Sequence, residues 1–446
     1  MSRHNIFSLG QTREERSSSV KLFLIGLASL TFINIGGYAA IAELILVIML
    51  PYSLLRNIRY FNLDSCSSII WLLIIWALGQ FTTDVLAHNY FAFMIRGLIP
   101  PIGMLAALLV IYPLLRKNPN GLKWIILGMA ISGVISIFVF QPGAAAGNQG
   151  VLAGTKTAAE AVMDYKLFWV QKLNDWLGLP VKGWYLTMPH ACNVLIALFL
   201  AFFALGAGGR SAFLVALVSA MFLVFGGKSS RKMQWLKRNW LISVLGLLAV
   251  MVVAKYTYQY AASSGWMGEE ELLKYEEQSK GRSGLSTLMQ SRGEFFMALD
   301  AITDKPLMGH GSYALDYHGY RRAYFEKNGA DEETLKRIIS IQEMRGRVSP
   351  IPAHSHIACF WMWAGIPGLL PWVYILVLLC KTLFKRMHVY PAYYGYFALI
   401  VPTMLWHIFF SPFGSRINMV VLIAACLVVR ATEREQKRFV PMMKAW

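Results

Sequence analysis

Histidine, arginine and aspartate are sparse among the apolar runs of this 446-residue chain, and where they occur they sit near the ends of those runs. Asp84, Arg96, Arg210, His354, His407 and Arg416 are six of them. Ionisable groups in or beside hydrocarbon are costly and by default mark a pathway or a site. Each also has a structural alternative, because a long side chain at a helix end can extend its charge to the interface. Three short stretches add further groups: Gly208-Gly209-Arg210-Ser211-Ala212-Phe213; Ser291-Arg292-Gly293-Glu294 followed by Lys305-Pro306-Leu307-Met308-Gly309-His310-Gly311; and Pro352-Ala353-His354-Ser355-His356 leading to Gly365-Ile366-Pro367-Gly368. The His354-x-His356 pair with His310, His318 and Asp316 offers zinc-type ligands, although no second tight cluster supports that reading. For Arg292 the alternative is the solvated face of an amphipathic helix. For His354 it is a helix cap, and for Arg210 a headgroup anchor.

The elements that must position these residues are membrane helices. The chain is 56% hydrophobic and 15% charged, against about 25% charged in soluble domains. Its apolar runs approach the roughly 20 residues a helix needs to cross hydrocarbon. Clear spans are expected at 20–35, 38–55, 67–87, 91–113, 123–141, 188–207, 211–227, 240–257, 356–380, 391–410 and 414–430. The polar stretch Met1 to Ser19 before the first run has the outline of a signal peptide, but apolar character resumes from Tyr38, which favours two uncleaved spans. The five cysteines lie in or beside apolar runs without CxxC spacing and read as small buried hydrophobes.

Charge gives the orientation. The net charge is +18, yet residues 258–353 hold 14 acids and 12 bases, so the remainder carries +20. Much of that excess lies in short connectors near 57, 117, 233 and 385 and in the C-terminal tail, the pattern of cytoplasmic loops. It requires no nucleic-acid partner. Parity then demands a further crossing between 142 and 187, for which 158–178 is the candidate despite Asp164, Lys166, Lys172 and Asp175. The expected architecture is an all-α polytopic bundle of about twelve transmembrane helices with one large, partly helical periplasmic loop. Within it, 1–187 forms the N-terminal helices, 188–380 a core that includes the loop 258–353, and 381–446 the last helices and a cytoplasmic tail. In the loop, Leu288, Phe295, Leu299 and Ile302 recur at helical spacing over 286–302, and 332–344 is a second expected helix. On this topology the six ionisable residues fall on the extracytoplasmic side.

In order and spacing, the three stretches resemble the O-antigen ligase and O-antigen/exopolysaccharide polymerase family of bacterial membrane glycosyltransferases. There, a small-residue/Arg motif follows a span, an Arg-bearing helix precedes a P-L-x-G-x-G turn, and a histidine opens the next span with glycines eleven and fourteen residues later. His354, Gly365 and Gly368 reproduce that spacing, which makes His354 rather than His356 the matching histidine. Two positions depart from the pattern: Trp363 stands where an acid or amide is frequent, and Gly209 where a hydroxyl usually leads the Arg210 motif.

The resemblance implies an enzyme of the bacterial inner membrane whose active site faces the periplasm. It implies transfer of a glycan from an undecaprenyl diphosphate carrier to an acceptor sugar hydroxyl, with a glycan or a lipid A core as acceptor, inversion at the anomeric centre, no cofactor and no metal. His354 would be the general base, since imidazole titrates near neutral pH. Arg210 and Arg292 would clamp the diphosphate, because the guanidinium fork grips phosphate oxygens in two places. Arg96, Arg282, His356 and Arg416 are expected helpers, with Lys280, Arg345 and Arg347 as electrostatic support. Trp266, Tyr313, Tyr317, Tyr320 and Tyr324 can stack on sugar faces or form an interfacial belt. The rival class is a lipid-linked oligosaccharide flippase or transporter, which would place charges at the midplane and repeat its halves. No such repeat is present. A zinc-dependent membrane hydrolase, sensitive to chelators, is the third reading.

Overall fold

The computed structural model describes residues 12–29, 32–34, 38–61, 64–139, 215–222, 293–327, 355–386, 393–410 and 416–444, with isolated positions (198, 350, 351 and a few within 256–265 and 332–336) between them. Among these residues the architecture is helical apart from one short hairpin. The proposed crossing at 158–178, most of the runs at 188–207, 211–227 and 240–257, and most of the helix expected at 332–344 lie outside the described residues.

Helix α1 (Arg13–Leu27) starts at a capping box, in which the Thr12 hydroxyl accepts from Glu15 N while Glu15 accepts from Thr12 N. The run expected at 20–35 therefore begins earlier and stops at Leu27. Beyond it, Phe32–Asn34 (β1) pairs antiparallel with Tyr38–Ala40 (β2), Ile33 opposite Ala39. β-branched and aromatic residues beside Gly36 and Gly37 favour a hairpin over a continued helix. Helices α2 (Ile41–Phe61), α3 (Asp64–Leu86), α4 (Phe91–Lys117) and α5 (Leu122–Val139) follow. Then come α6 (Gly293–Asp304), α7 (Tyr320–Lys327), α8 (His356–Ala364), α9 (Ile366–Lys381), α10 (Tyr394–Phe410) and α11 (Arg416–Lys444).

Among the described residues three helical stretches, Cys66–Leu86, Phe91–Lys117 and Ile366–Phe384, are long and apolar enough to cross a membrane. Helix α4 is central: α1, α2, α3 and α11 all pack on it, and Met104, Leu108, Ile111 and Leu115 are buried along it. Against α1, α5 approaches backbone to backbone, since a Cβ on Gly128 would lie 2.3 Å from Phe23 O. Small residues permit such contacts between membrane helices.

The bundle has two chemically distinct ends. At one, Arg116 pairs with Glu435, Arg386 Nε lies 2.7 Å from Glu433, and Asn118 Nδ2 donates to Ser19 Oγ at 2.9 Å. The basic connectors near 57, 117 and 385 thus meet α1 and the tail there, as their shared orientation requires. At the other end Glu43 pairs with Arg416 and Asp84 receives the 306–313 turn. A second small core, Ala298, Ala301, Ile302, Ala314, Ile351, Ala358 and Met362, joins α6 to α8 at that end. The expected helix at 286–302 is observed from Gly293, and Phe295, Leu299 and Ile302 face this core.

Candidate functional site

The apolar run expected as one span at 356–380 is two helices broken at Gly365. This residue has φ 65 and ψ −147, a region open essentially to glycine alone. The break frees backbone groups, and the 306–311 turn satisfies them. Gly311 N donates to Trp363 O at 2.9 Å, His310 N to Met362 O at 2.7 Å, and Ile366 N to Leu307 O at 3.1 Å. The indole of Trp361 donates to Pro306 O at 2.9 Å. A Cβ on Gly365 would fall 2.0 Å from Leu307 O, and one on Gly309 2.7 Å from Met362 O. Glycine at both positions is what lets the two backbones meet.

Asp84, the expensive acid of α3, anchors the same turn from below. It is fully buried, and its carboxylate accepts from Ser312 N at 2.5 Å, Ser312 Oγ at 2.7 Å and Asn89 Nδ2 at 2.7 Å. Gln80 Nε2 donates to Ser312 Oγ at 2.8 Å, and Thr83 Oγ1 to Met308 O at 2.6 Å. A buried carboxylate is tolerated only with such donors. Gly97 on α4 leaves room, since a Cβ there would be 1.6 Å from Ser312 Oγ. Sequence reasoning recognised Asp84 as costly but passed over Gln80, Thr83, Asn89 and Ser312. The readable signal was the polar stripe 80, 83, 84 on one face of an apolar helix.

Ser312 leads into Tyr313, which holds φ 53, uncommon for a residue with a Cβ. Its ring lies 5.6 Å from Phe93 and 4.6 Å from Trp363. Burial raises its pKa, against the opposing pull of Arg96 and Arg416. Arg96 is exposed on α4, one turn beyond Phe93. Arg416 makes a two-point pair with Glu43, 3.0 Å from Nε and 3.2 Å from Nη2. His356 is buried with its ring stacked on Trp372 at 4.9 Å, a packing role. In the turn, His310 Nε2 donates to Ala301 O at 2.7 Å. Burial lowers the His310 pKa despite that bond. Tyr320, whose hydroxyl donates to Asp304, is raised by burial and by that carboxylate. Among the described residues, no three His, Cys, Asp or Glu side chains gather as a metal site.

His354, Arg210, Arg292 and Arg282 lie outside the described residues, as do Lys280, Arg345, Arg347 and Trp266. The chain on either side of His354 is described. Ile351 N donates to Ala314 O at 2.9 Å. Ser355 caps α8, accepting from Ala358 N at 3.2 Å and donating to Ile408 O at 2.9 Å.

Two of the three sequence stretches therefore interlock, and both fall in one region of wider similarity: residues 195–373 match the family model described as O-antigen ligase. Over these residues the chain is similar to the O-antigen ligases. No curated protein matches the chain. Within the matched stretch the departure at Trp363 has a packing consequence: its ring covers Tyr313 and meets Phe360 edge-on at 5.6 Å, while its carbonyl holds Gly311.

Proposed function

We propose that this protein is an inner-membrane glycosyltransferase that moves a glycan from an undecaprenyl diphosphate carrier to an acceptor sugar hydroxyl at the periplasmic face. It acts as a polysaccharide polymerase or an O-antigen ligase. The observation that carries the reading is the docking of the Pro306–Gly311 turn into the Gly365 break, within the matched stretch 195–373. It joins the loop following Arg292 to the helix pair following His354. About twelve spans, with 258–353 outside and the three-part division at 187 and 380, complete the proposed topology.

In this mechanism His354 removes the proton of the acceptor hydroxyl as its oxygen attacks the anomeric carbon. The anomeric bond to the diphosphate breaks on the opposite face, inverting the centre. Arg210 and Arg292 neutralise the charge that develops on the departing diphosphate, stabilising the transition state more than the bound substrate. Arg96 and Arg416 add positive potential at the same end, and Arg282 supports it from the loop.

The test uses purified protein with an undecaprenyl diphosphate-linked donor, with and without EDTA. His354→Ala is expected to insert and fold, bind donor and form no product, while EDTA leaves the wild type unchanged. Normal product from His354→Ala removes that residue from the role of base. Abolition by EDTA points to the zinc hydrolase reading. A longer carrier-linked chain identifies a polymerase, and a lipid A-linked product identifies a ligase.

A further inference from the structure

Between the basic end of the bundle and the Glu43–Arg416 pair, α1 and α2 leave a groove of about 380 Å³, lined by Lys21, Leu24, Leu27, Ala28, Ile45 and Met49, with Lys21 toward the basic end. Its apolar walls are continuous with large side chains that face outward: Leu24 is 50% exposed, Val47 55%, Ile48 78% and Leu55 86%. In a membrane such a surface is lipid-facing. Lys21 is the one polar residue of its lining, and Tyr52 and Arg56 lie beside it. Lys21 Nζ lies 5.1 Å from the ring centroid of Tyr52, and Arg56 Cζ lies 5.7 Å from the same centroid. The Arg56 guanidinium donates to the Tyr52 hydroxyl. One acid is present, Glu14, 3.4 Å from Arg56 and exposed.

We propose that this groove binds an anionic phospholipid, its phosphate at Lys21 and Arg56 and one acyl chain along Leu24, Ala28, Ile45 and Met49. The geometry favours a lipid over a soluble anion. From Lys21 to Ala28 the helix advances by about 10 Å, so the apolar lining descends from the cationic rim into the depth an acyl chain occupies. The two segments meet at the far end of the groove, where Ala42 N donates to Ala28 O at 3.1 Å. Tyr52 beside the two cations is the amphipathic ring expected at headgroup level. The basic end is the one that the charge distribution assigns to the cytoplasm, whose leaflet carries anionic lipid. None of these residues belongs to the proposed catalytic set.

The experiment counts lipids that remain bound to the purified full-length chain by native mass spectrometry. Phosphatidylglycerol, phosphatidylcholine and glycerol 3-phosphate are titrated separately. Phosphatidylglycerol is expected to bind one site in preference to phosphatidylcholine, with no retention of glycerol 3-phosphate. Lys21→Gln should weaken that site about fivefold, the effect of one surface cation, while Lys21→Arg restores it. Met49→Trp, which fills the groove, should remove the site while the elution profile and thermal midpoint stay those of the wild type. Equal binding of the two phospholipids, retention of glycerol 3-phosphate, or unchanged affinity in Lys21→Gln would each overturn the proposal.

Discussion

Ser312 and Asp84 are 228 positions apart, yet the serine gives the carboxylate two hydrogen bonds, 2.5 Å from its backbone nitrogen and 2.7 Å from its hydroxyl. This contact ties the loop that bears the family's glycine turn to the end of a membrane helix outside the matched region. Asp84→Ala is expected to cost about 3 kcal/mol, because several buried donors lose a charged acceptor together. Asp84→Asn should cost less, retaining one acceptor oxygen. Thermal denaturation in detergent measures both, and equal midpoints for Asp84→Ala and wild type would remove the anchor role.

The helix break makes a sharper demand on one position. Gly365→Ala is expected to cost about 1–3 kcal/mol in backbone strain alone, before the contact with Leu307 O is relieved. Gly103→Ala is the matched control, since nothing lies within 4 Å of its added Cβ. Release of the turn should expose Trp361, whose indole is otherwise bound to Pro306 O. Red-shifted tryptophan emission and new proteolytic cleavage near 306–312 in Gly365→Ala alone are the expected readouts.

The turn is also expected to weaken in acid. Burial sets the His310 pKa below its ordinary 6.5, so folding favours the neutral ring. Its contribution is whole above pH 6.5 and is lost as the pH falls through the lowered value. A thermal midpoint series from pH 8 to pH 4 should show this loss in the wild type. His310→Gln, whose amide can still donate to Ala301 O, should flatten that part of the profile.

Arg416 can serve the proposed diphosphate site or merely hold α11 to α2. Glu43 and Arg416 are partly exposed, at 18% and 30% of their side chains, and a coupling of about 1 kcal/mol is expected. The exchange Glu43→Arg with Arg416→Glu should recover most of the stability that either change loses. Transfer activity should not return with it, because the cation then comes from a different helix. Recovery of both would leave Arg416 a purely structural role.

Much of this arrangement was legible in the residues. Apolar runs marked most of the described membrane helices, though α1 starts at its Thr12 cap and stops at Leu27, earlier than hydropathy suggested. The basic connectors announced their common end, and the Arg116–Glu435 and Arg386–Glu433 pairs bring them together. The spacing of Gly365 and Gly368 marked a motif, but hydropathy alone smoothed over the break, because the residues on both sides are equally apolar. Trp363 looked like a departure and is a packing element.

Composition and local pattern by themselves determined that the chain is a membrane protein, roughly where most of the described apolar helices lie, and which glycines and ionisable residues are exceptional. Those properties depend on transfer free energies and backbone preferences that each short segment carries alone. Only the tertiary structure decided that Asp84 serves Ser312, that Met362 and Trp363 carbonyls receive the turn, and that His356 is buried against Trp372. Hydrogen bonds and close backbone contacts depend on distances of a few ångströms between segments far apart in the chain, and no local pattern encodes them.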